Sequence, residues 1–372
     1  MAKKRNKNPK EKKQITNQVI PSFLPFKKIT PIKSIHETTL NFCVLSSTNK
    51  YIITCSSSNL ALLDINNFKI LSKQKMDSPI LYLIELSNKR ILLSNAKMIF
   101  YYEVNKDLKL NLLFYYEEKN FVNMGVIGAY ELVNNNILII SPCFIRCYTQ
   151  TKDNILNLYD TFKFETIIEL KYEDYGTQFK SSFIVDNNYI ALLTRKEMYI
   201  INYNEKKLVK KIDIEKNNVS FKSIKLDNDN TLIYHKKKFI TFDNKYLEII
   251  NQLSIKNEKE EVTCVEKLKK DKLIAFGTNL GKIYIYDYPS MEIIKEIGFN
   301  VNNYNVVWMK ELNNNLLVNN LPKGEIGFCN FDKGKYVGKL MLSNAANYRK
   351  GIFLEKENKL LLGCANSFVL FE

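Results

Sequence analysis

Residues 277–297 read GTNLGKIYIYDYPSMEIIKEI. An apolar run closes on an aromatic residue followed by an acid, Tyr286-Asp287, and a second apolar run begins after a short loop. The same ending recurs as Leu63-Asp64, Tyr102-Glu103, Tyr148-Thr149, Tyr203-Asn204, Phe242-Asp243, Phe331-Asp332 and Phe371-Glu372. Each ending closes the third run of a unit whose first two runs flank a polar turn. Those turns are Thr48-Asn49-Lys50, Ser87-Asn88-Lys89, Asn134-Asn135-Asn136, Asp186-Asn187-Asn188, Asp227-Asn228-Asp229-Asn230, Lys269-Lys270-Asp271, Asn313-Asn314-Asn315 and Lys356-Glu357-Asn358. Asn and Asp suit such positions because both tolerate left-handed backbone and can bond their own main chain.

The polar members of the endings lie 39, 46, 55, 39, 44, 45 and 40 residues apart. A period of about 44 is that of a four-stranded propeller blade. The runs are short, rich in Ile, Leu, Tyr, Phe and Val, and bounded by turn residues, which predicts strands and no long helix. The 55-residue interval predicts an insertion at about residues 150–165 (QTKDNILNLYDTFKFE), ahead of an outer strand TIIELK. Eight units imply eight blades. Seven is the alternative, if the irregular third and fourth units are one distorted blade plus an insertion.

Residues 277–297 resemble a WD40 repeat, with Tyr286-Asp287 where that family has Trp-Asp; elsewhere the likeness rests on the period. The resemblance implies an all-β, WD40-like β-propeller that binds other proteins. The Trp of the pair is replaced throughout, and the family's Gly-His dipeptide is missing. With only His36 and His235 available, the usual Asp-His-Ser-Trp tetrad is not expected, and blade stability is assigned to strand pairing and apolar packing. The chain ends after FVLF, one strand short in the eighth unit, and Ile29–His36 (ITPIKSIH) supplies a spare strand upstream. That strand is expected to complete the C-terminal blade, because an open ring would expose a sheet edge. The propeller domain is therefore 29–372, preceded by a basic arm, 1–28.

The 372 residues are 45% hydrophobic and 25% charged, with 12 glycines and 8 prolines, which excludes collagen-like and Pro-rich material. Formal net charge is +16, yet only five of 55 basic residues are arginine. Residues 1–28 hold nine Lys/Arg and a single acid, Glu11. Such a segment has too little apolar surface to offset the entropy of ordering, and is expected to be largely disordered, with Phe23, Leu24 and Phe26 anchoring its root on a blade. Nothing approaches 18 consecutive apolar residues, so no bilayer-spanning helix is expected, and VIPSFLPF is too short and Pro-broken for a signal peptide. Seven irregularly spaced cysteines (43, 55, 143, 147, 264, 329, 364) are no disulfide framework. Cys143 and Cys147 lack a second Cys/His pair for structural zinc. An intracellular location, cytoplasm or nucleus, follows.

No nucleophile, metal or phosphate-loop motif occurs, so no catalytic residue, metal or cofactor is expected and the chain is read as no enzyme. His235 is expected to be solvent-exposed, and the pairs Glu117-Glu118 and Glu260-Glu261 to be solvated in lysine-rich loops. Scarce arginine argues against base-specific nucleic-acid reading, whereas lysine contact with phosphate needs no such precision. Two sets of residues are candidates for an anionic partner. One is Lys3, Lys4, Arg5, Lys7, Lys10, Lys12 and Lys13 in the arm. The other is Arg195-Lys196 with Lys236-Lys237-Lys238, on turns that a propeller would place side by side. The reading is a non-catalytic protein-interaction scaffold, a subunit or adaptor of a larger assembly. The alternative is a ribonucleoprotein or ribosome-biogenesis component whose arm contacts RNA.

Overall fold

Where the sequence alternates short apolar runs with polar turns, the described residues form 32 strands and no α-helix. The computed structural model describes residues 22, 24–32, 40–57, 59–87, 89–95, 98–117, 126–132, 136–141, 144–150, 156–163, 179–215, 221–227, 229–270, 272–290, 292–298, 305–313, 315–321, 324–342, 350–363 and 368–372.

The strands make eight four-stranded antiparallel sheets. The first is β2 (Leu40–Leu45), β3 (Tyr51–Ser56), β4 (Asn59–Asp64) and β5 (Ile70–Lys75); the second β6 (Tyr82–Glu85), β7 (Arg90–Ser94), β8 (Met98–Val104) and β9 (Leu110–Glu117). The third is β10 (Gly128–Glu131), β11 (Ile137–Ile140), β12 (Phe144–Gln150) and β13 (Leu156–Lys163); the fourth β14 (Ser181–Ile184), β15 (Tyr189–Leu193), β16 (Glu197–Asn202) and β17 (Lys207–Asp213). The fifth is β18 (Lys222–Lys225), β19 (Asn230–Tyr234), β20 (Lys238–Asp243) and β21 (Glu248–Ser254); the sixth β22 (Val262–Lys267), β23 (Leu273–Thr278), β24 (Lys282–Asp287) and β25 (Glu292–Gly298). The seventh is β26 (Met309–Glu311), β27 (Leu316–Asn320), β28 (Glu325–Asn330) and β29 (Lys335–Met341). In the eighth, β30 (Lys350–Leu354), β31 (Lys359–Gly363) and β32 (Phe368–Phe371) are completed by β1 (Ile29–Ile32).

The expected closure is present. β1 lies antiparallel to β32, with Ile29 opposite Phe371 and Ile32 opposite Phe368. Lys27 and Lys28 donate backbone N–H bonds to the Glu372 carbonyl at 2.7 and 2.8 Å. Leu24 and Phe26 are buried, and Phe26 meets Phe371 at a ring separation of 5.4 Å. Residues 33–36 and Phe23 lie outside the described residues.

One expectation is corrected in the third sheet. Its outer strand is β13, drawn from the segment expected to be an insertion. β12 runs on to Gln150 past a register shift at Cys147/Tyr148, and β13 pairs back along it from Leu156, whose side chain is buried. TIIELK falls outside the described residues.

Middle strands are buried on both faces, which explains their unbroken apolar runs: every residue of β3, β7 and β11 is buried. Outer strands such as β17 and β21 are mostly exposed, with a minority of half-buried positions. The ladder between third and fourth strands shifts register at Tyr101/Tyr102, Cys147/Tyr148, Ile200/Ile201, Thr241/Phe242, Ile285/Tyr286 and Phe328/Cys329. The aromatic member of the recurring pair thus sits at a β-bulge, a device that bends and twists the sheet. In the fourth and seventh sheets the pair registers two residues earlier than expected. Asn202 and Asn330 end the strands there, and their side-chain oxygens accept turn N–H bonds as Asp64 and Asp243 do in their sheets.

The strands divide between two compact units, Met1–Leu45 with Tyr51–Ile70 and Ile255–Glu372, and Ser46–Lys50 with Leu71–Ser254. In the first, one apolar cluster gathers Trp308, Phe328, Phe353, Leu362 and Phe371. In the second, one gathers Phe183, Met198, Phe221, Ile240 and Phe242. A polar clip recurs as well. Glu85 accepts from Ser46 Oγ at 2.7 Å and the Ser47 N–H at 2.6 Å, Glu131 from Ser87 N–H and Oγ at 2.7 and 2.8 Å, and Glu311 from the Lys269 N–H at 2.6 Å. An acid at the end of a first strand thereby holds the first turn of the preceding sheet.

A buried polar tie stands beside the expected apolar packing and strand pairing. Glu260 is buried; its carboxylate accepts from the Thr278 hydroxyl at 2.9 Å and from Tyr284 Oη at 3.1 and 3.0 Å. This polar tie inside the sixth sheet needs no histidine. Burial, reinforced by the Glu260 charge, pushes the Tyr284 phenol up to about 12.

Candidate basic surface

The second and third strands of the fourth sheet are joined by Thr194, Arg195 and Lys196. Thr194 Oγ1 accepts the N–H bonds of Lys196 (3.2 Å) and Glu197 (2.9 Å), which locks the turn. In the fifth sheet the same connection is His235, Lys236 and Lys237, closed by the His235 N–H donating to the Lys238 carbonyl at 3.0 Å.

A single segment bridges the two turns. The N–H groups of Ile214 and Glu215 both donate to the Lys196 carbonyl, at 2.9 and 3.0 Å. From the other side, Lys238 Nζ donates to the Ile214 carbonyl at 2.8 Å and stands 3.9 Å from the Glu215 carboxylate, whose Oε2 lies 3.4 Å from His235 Nε2. The turns that carry Arg195-Lys196 and Lys236-Lys237-Lys238 are therefore tied to one another through residues 214–215, with the Glu215 carboxylate set against His235 and Lys238. Within the group Lys196 and Lys236 are exposed, and Arg195 and Lys237 half-buried. The Lys238 side chain is 18% exposed and braces the loop.

His235 is buried, not exposed as expected. Its ring stands edge-on to Phe221 at 4.8 Å, a contact that a short polar turn gives no hint of. Burial pulls its imidazole below the ordinary value, against the opposing pull of Glu215. Glu260 likewise lies inside the fold, whereas Glu117 is exposed at the end of β9.

Three further charged residues belong to this end of the two sheets. Lys180 is exposed and donates its backbone N–H to the Leu193 carbonyl at 2.8 Å, next to the first turn. Lys222 is exposed and opposes Tyr234, next to the second. Glu215 is the third. Lys180 and Lys222 open apolar runs, and their sequence spacing from the turns, 14 residues in each case between Lys180 and Thr194 and between Lys222 and Lys236, is the length of a hairpin. The arm residues Lys3, Lys4, Arg5, Lys7, Lys10, Lys12 and Lys13 lie outside the described residues, as does Glu118.

No protein-family model and no curated protein sequence matches the chain. Solved structures do match it. Saccharomyces cerevisiae Sqt1 superposes with a TM-score of 0.71 at 12% identity, over 92% of this chain and 97% of that one. Chaetomium thermophilum Sqt1, crystallised bound to the N-terminus of the ribosomal protein L10, gives 0.67 at 10% identity over 91% and 98%. The computationally designed Ika8 protein gives 0.63 at 10% identity over 92% and 99%.

The fold is that of an eight-bladed WD40-like β-propeller. The seven-blade alternative fails because the third and fourth units each form a complete four-stranded blade. In propeller terms the basic turns join the second to the third strands of blades 4 and 5, and Glu215 lies on the link between those blades. No helix among the described residues is long and apolar enough to cross a membrane.

Proposed function

We propose that this propeller is a non-catalytic protein-interaction scaffold, a subunit or adaptor of a larger intracellular assembly. The observation that carries the reading is the likeness, over nine-tenths of the chain, to a propeller crystallised with a protein N-terminus bound, the Chaetomium thermophilum Sqt1 complex. At 10% identity that likeness supports a way of working, not a shared partner. The chemistry of the described residues agrees with it. The buried acids and the buried histidine are engaged in structural bonds: Glu260 with Thr278 and Tyr284, Glu311 with the Lys269 N–H, and His235, whose Nδ1 accepts from the Lys237 N–H at 3.4 Å.

The second reading is a ribonucleoprotein or ribosome-biogenesis component. Its support is the charge of residues 1–28, nine basic residues against one acid, where Lys3, Lys4, Arg5, Lys7, Lys10, Lys12 and Lys13 would contact RNA or another polyanion. Affinity purification of the full-length chain, with and without nuclease and with and without residues 1–28, decides between the two. Protein partners that survive nuclease and loss of the arm uphold the scaffold. Partners that all vanish with nuclease replace it by the second reading.

A further inference from the structure

Lysine is abundant everywhere in this chain, so an exposed lysine by itself means little. Its distribution over equivalent positions means more. The loops joining second to third strands read Ser57-Ser58 in blade 1, Ala96-Lys97 in blade 2, Pro142-Cys143 in blade 3, Asn279-Leu280 in blade 6, Pro322-Lys323 in blade 7 and Ala365-Asn366 in blade 8. Only blades 4 and 5 carry two adjacent cations there, Arg195-Lys196 and Lys236-Lys237, and these two blades are consecutive. Exposed lysines also stand at the starts of the first strands of these blades, Lys180 and Lys222, and a lysine, Lys350, opens the first strand of blade 8. An overall lysine bias would spread adjacent cation pairs over the loops of all the blades.

The backbone beneath these side chains is held in place. Thr194 Oγ1 closes one turn, the His235 N–H closes the other, and the Lys196 carbonyl accepts two N–H bonds from the link between the blades. Anchored backbone lowers the entropy lost when a partner docks. Among the described residues the acids at this end are few and most are engaged. Glu215 faces His235 and Lys238, and Glu197 pairs with Lys211 at 2.7 Å and accepts from the Tyr199 hydroxyl, leaving Asp213 at the end of β17. Among the described residues net positive charge therefore remains across both turns.

We propose that the paired turns at 194–196 and 235–237, extended by Lys180 and Lys222, form a docking site for an acidic peptide segment of a protein partner. The proposal rests on the scaffold reading and names the chemistry of one of its contacts. Two features favour an acidic peptide over RNA. The site carries one arginine among six cations, which suits carboxylates met singly better than base edges read by a fork. Its aromatic residues are Phe221 and Tyr234; Phe221 is buried against His235, and Tyr234 is half-buried and stacked on Phe239 at 6.3 Å, so neither is laid out as an exposed platform for bases.

The test uses the full-length chain and a fluorescein-labelled octaglutamate peptide, read by anisotropy at low ionic strength. K196E/K236E is compared with K69E/K75E, which makes the same charge change at two exposed lysines of blade 1. Both variants alter exposed side chains, and their melting temperatures serve as the folding control; K222E is a third, milder probe. The expected result is salt-sensitive binding, weakened about tenfold or more by K196E/K236E, several-fold by K222E, and little by K69E/K75E. Equal weakening by both double variants, no binding to the wild type, or preference for an eight-nucleotide polyuridine over the peptide would each overturn the proposal. Scaffold and site fail separately. If nuclease-resistant protein partners persist while octaglutamate does not bind, only the site is wrong.

Discussion

Lys28 and Glu372 are joined across 344 positions of sequence: the lysine ammonium donates to the glutamate Oε1 at 3.0 Å. Thr30 Oγ1 donates to the same oxygen at 3.3 Å, and the two backbones exchange N–H bonds at 2.8 and 3.0 Å. The lysine bond, aided by Thr30, holds the Glu372 carboxyl below its ordinary value. A carboxyl depressed in the folded state contributes stability above its unfolded value and loses it as pH falls through the folded value. The Lys28 side chain is 68% exposed, so E372Q should cost under about 1 kcal/mol at neutral pH and nothing once the wild-type carboxyl is protonated. Deleting residues 29–32 should do far more, leaving β32 an open edge and causing aggregation. Denaturation at several pH values and light scattering distinguish the two effects. A monomeric deletion with unchanged melting would remove β1 from the closure.

Glu260 tests whether a blade lacking the usual tetrad relies on a polar substitute. E260A strips two hydroxyls, Thr278 Oγ1 and Tyr284 Oη, of a charged acceptor inside the protein. Bonds to charged groups contribute about 1.5–3 kcal/mol, so urea denaturation should show a loss of that order. E260Q, which keeps an acceptor oxygen, should lose less. Equal stability of E260A and wild type would mean that the tie is ornamental.

Gly351 leaves room for the chain's single tryptophan. A Cβ at this position would lie 2.4 Å from Trp308 Cζ2 and 2.7 Å from Leu362 Cδ2. G351A should cost at least about 1–3 kcal/mol through overpacking and move the Trp308 fluorescence. An unshifted emission with unchanged stability would show that the ring yields freely.

Cysteine reactivity should follow burial. The Cys55 and Cys329 thiols are fully buried, and burial pushes each up to about 12. At pH 8 neither should react with iodoacetamide in the folded state, and Cys147 should be slow as well, whereas half-buried Cys43 and Cys264 should label first. All should label after denaturation without reductant. Mass measurement of peptides reads each site, and a Cys55 or Cys329 as fast as Cys43 would contradict the burial.

The strand and turn plan is legible in the sequence because it depends on neighbours a few positions apart. Apolar runs of five or six residues mark buried strands. Among the described residues of the turns between first and second strands, Asn49, Asn315 and Asn358 sit in the left-handed region that such turns need, at φ 54°, 57° and 50°. The 44-residue period and the upstream strand that completes the last blade follow from the same local reading. Other features depended on the folded chain. Glu260 looked like half of a solvated acidic pair, and only the return of Thr278 and Tyr284, 18 and 24 positions away, makes it a buried acceptor. His235 looked exposed until Phe221 covered it. Leu156–Lys163 looked like an insertion because an outer strand, packed on one side only, shows a weaker apolar signal than the middle strands. Placing Arg195-Lys196 beside Lys236-Lys237 could be expected from a propeller, but the Glu215 carboxylate set against His235 and Lys238 could not. Local pattern sets which segments become strands; the surroundings of a polar side chain are set by residues 14 to 44 positions away, which meet it only when blades form and stack.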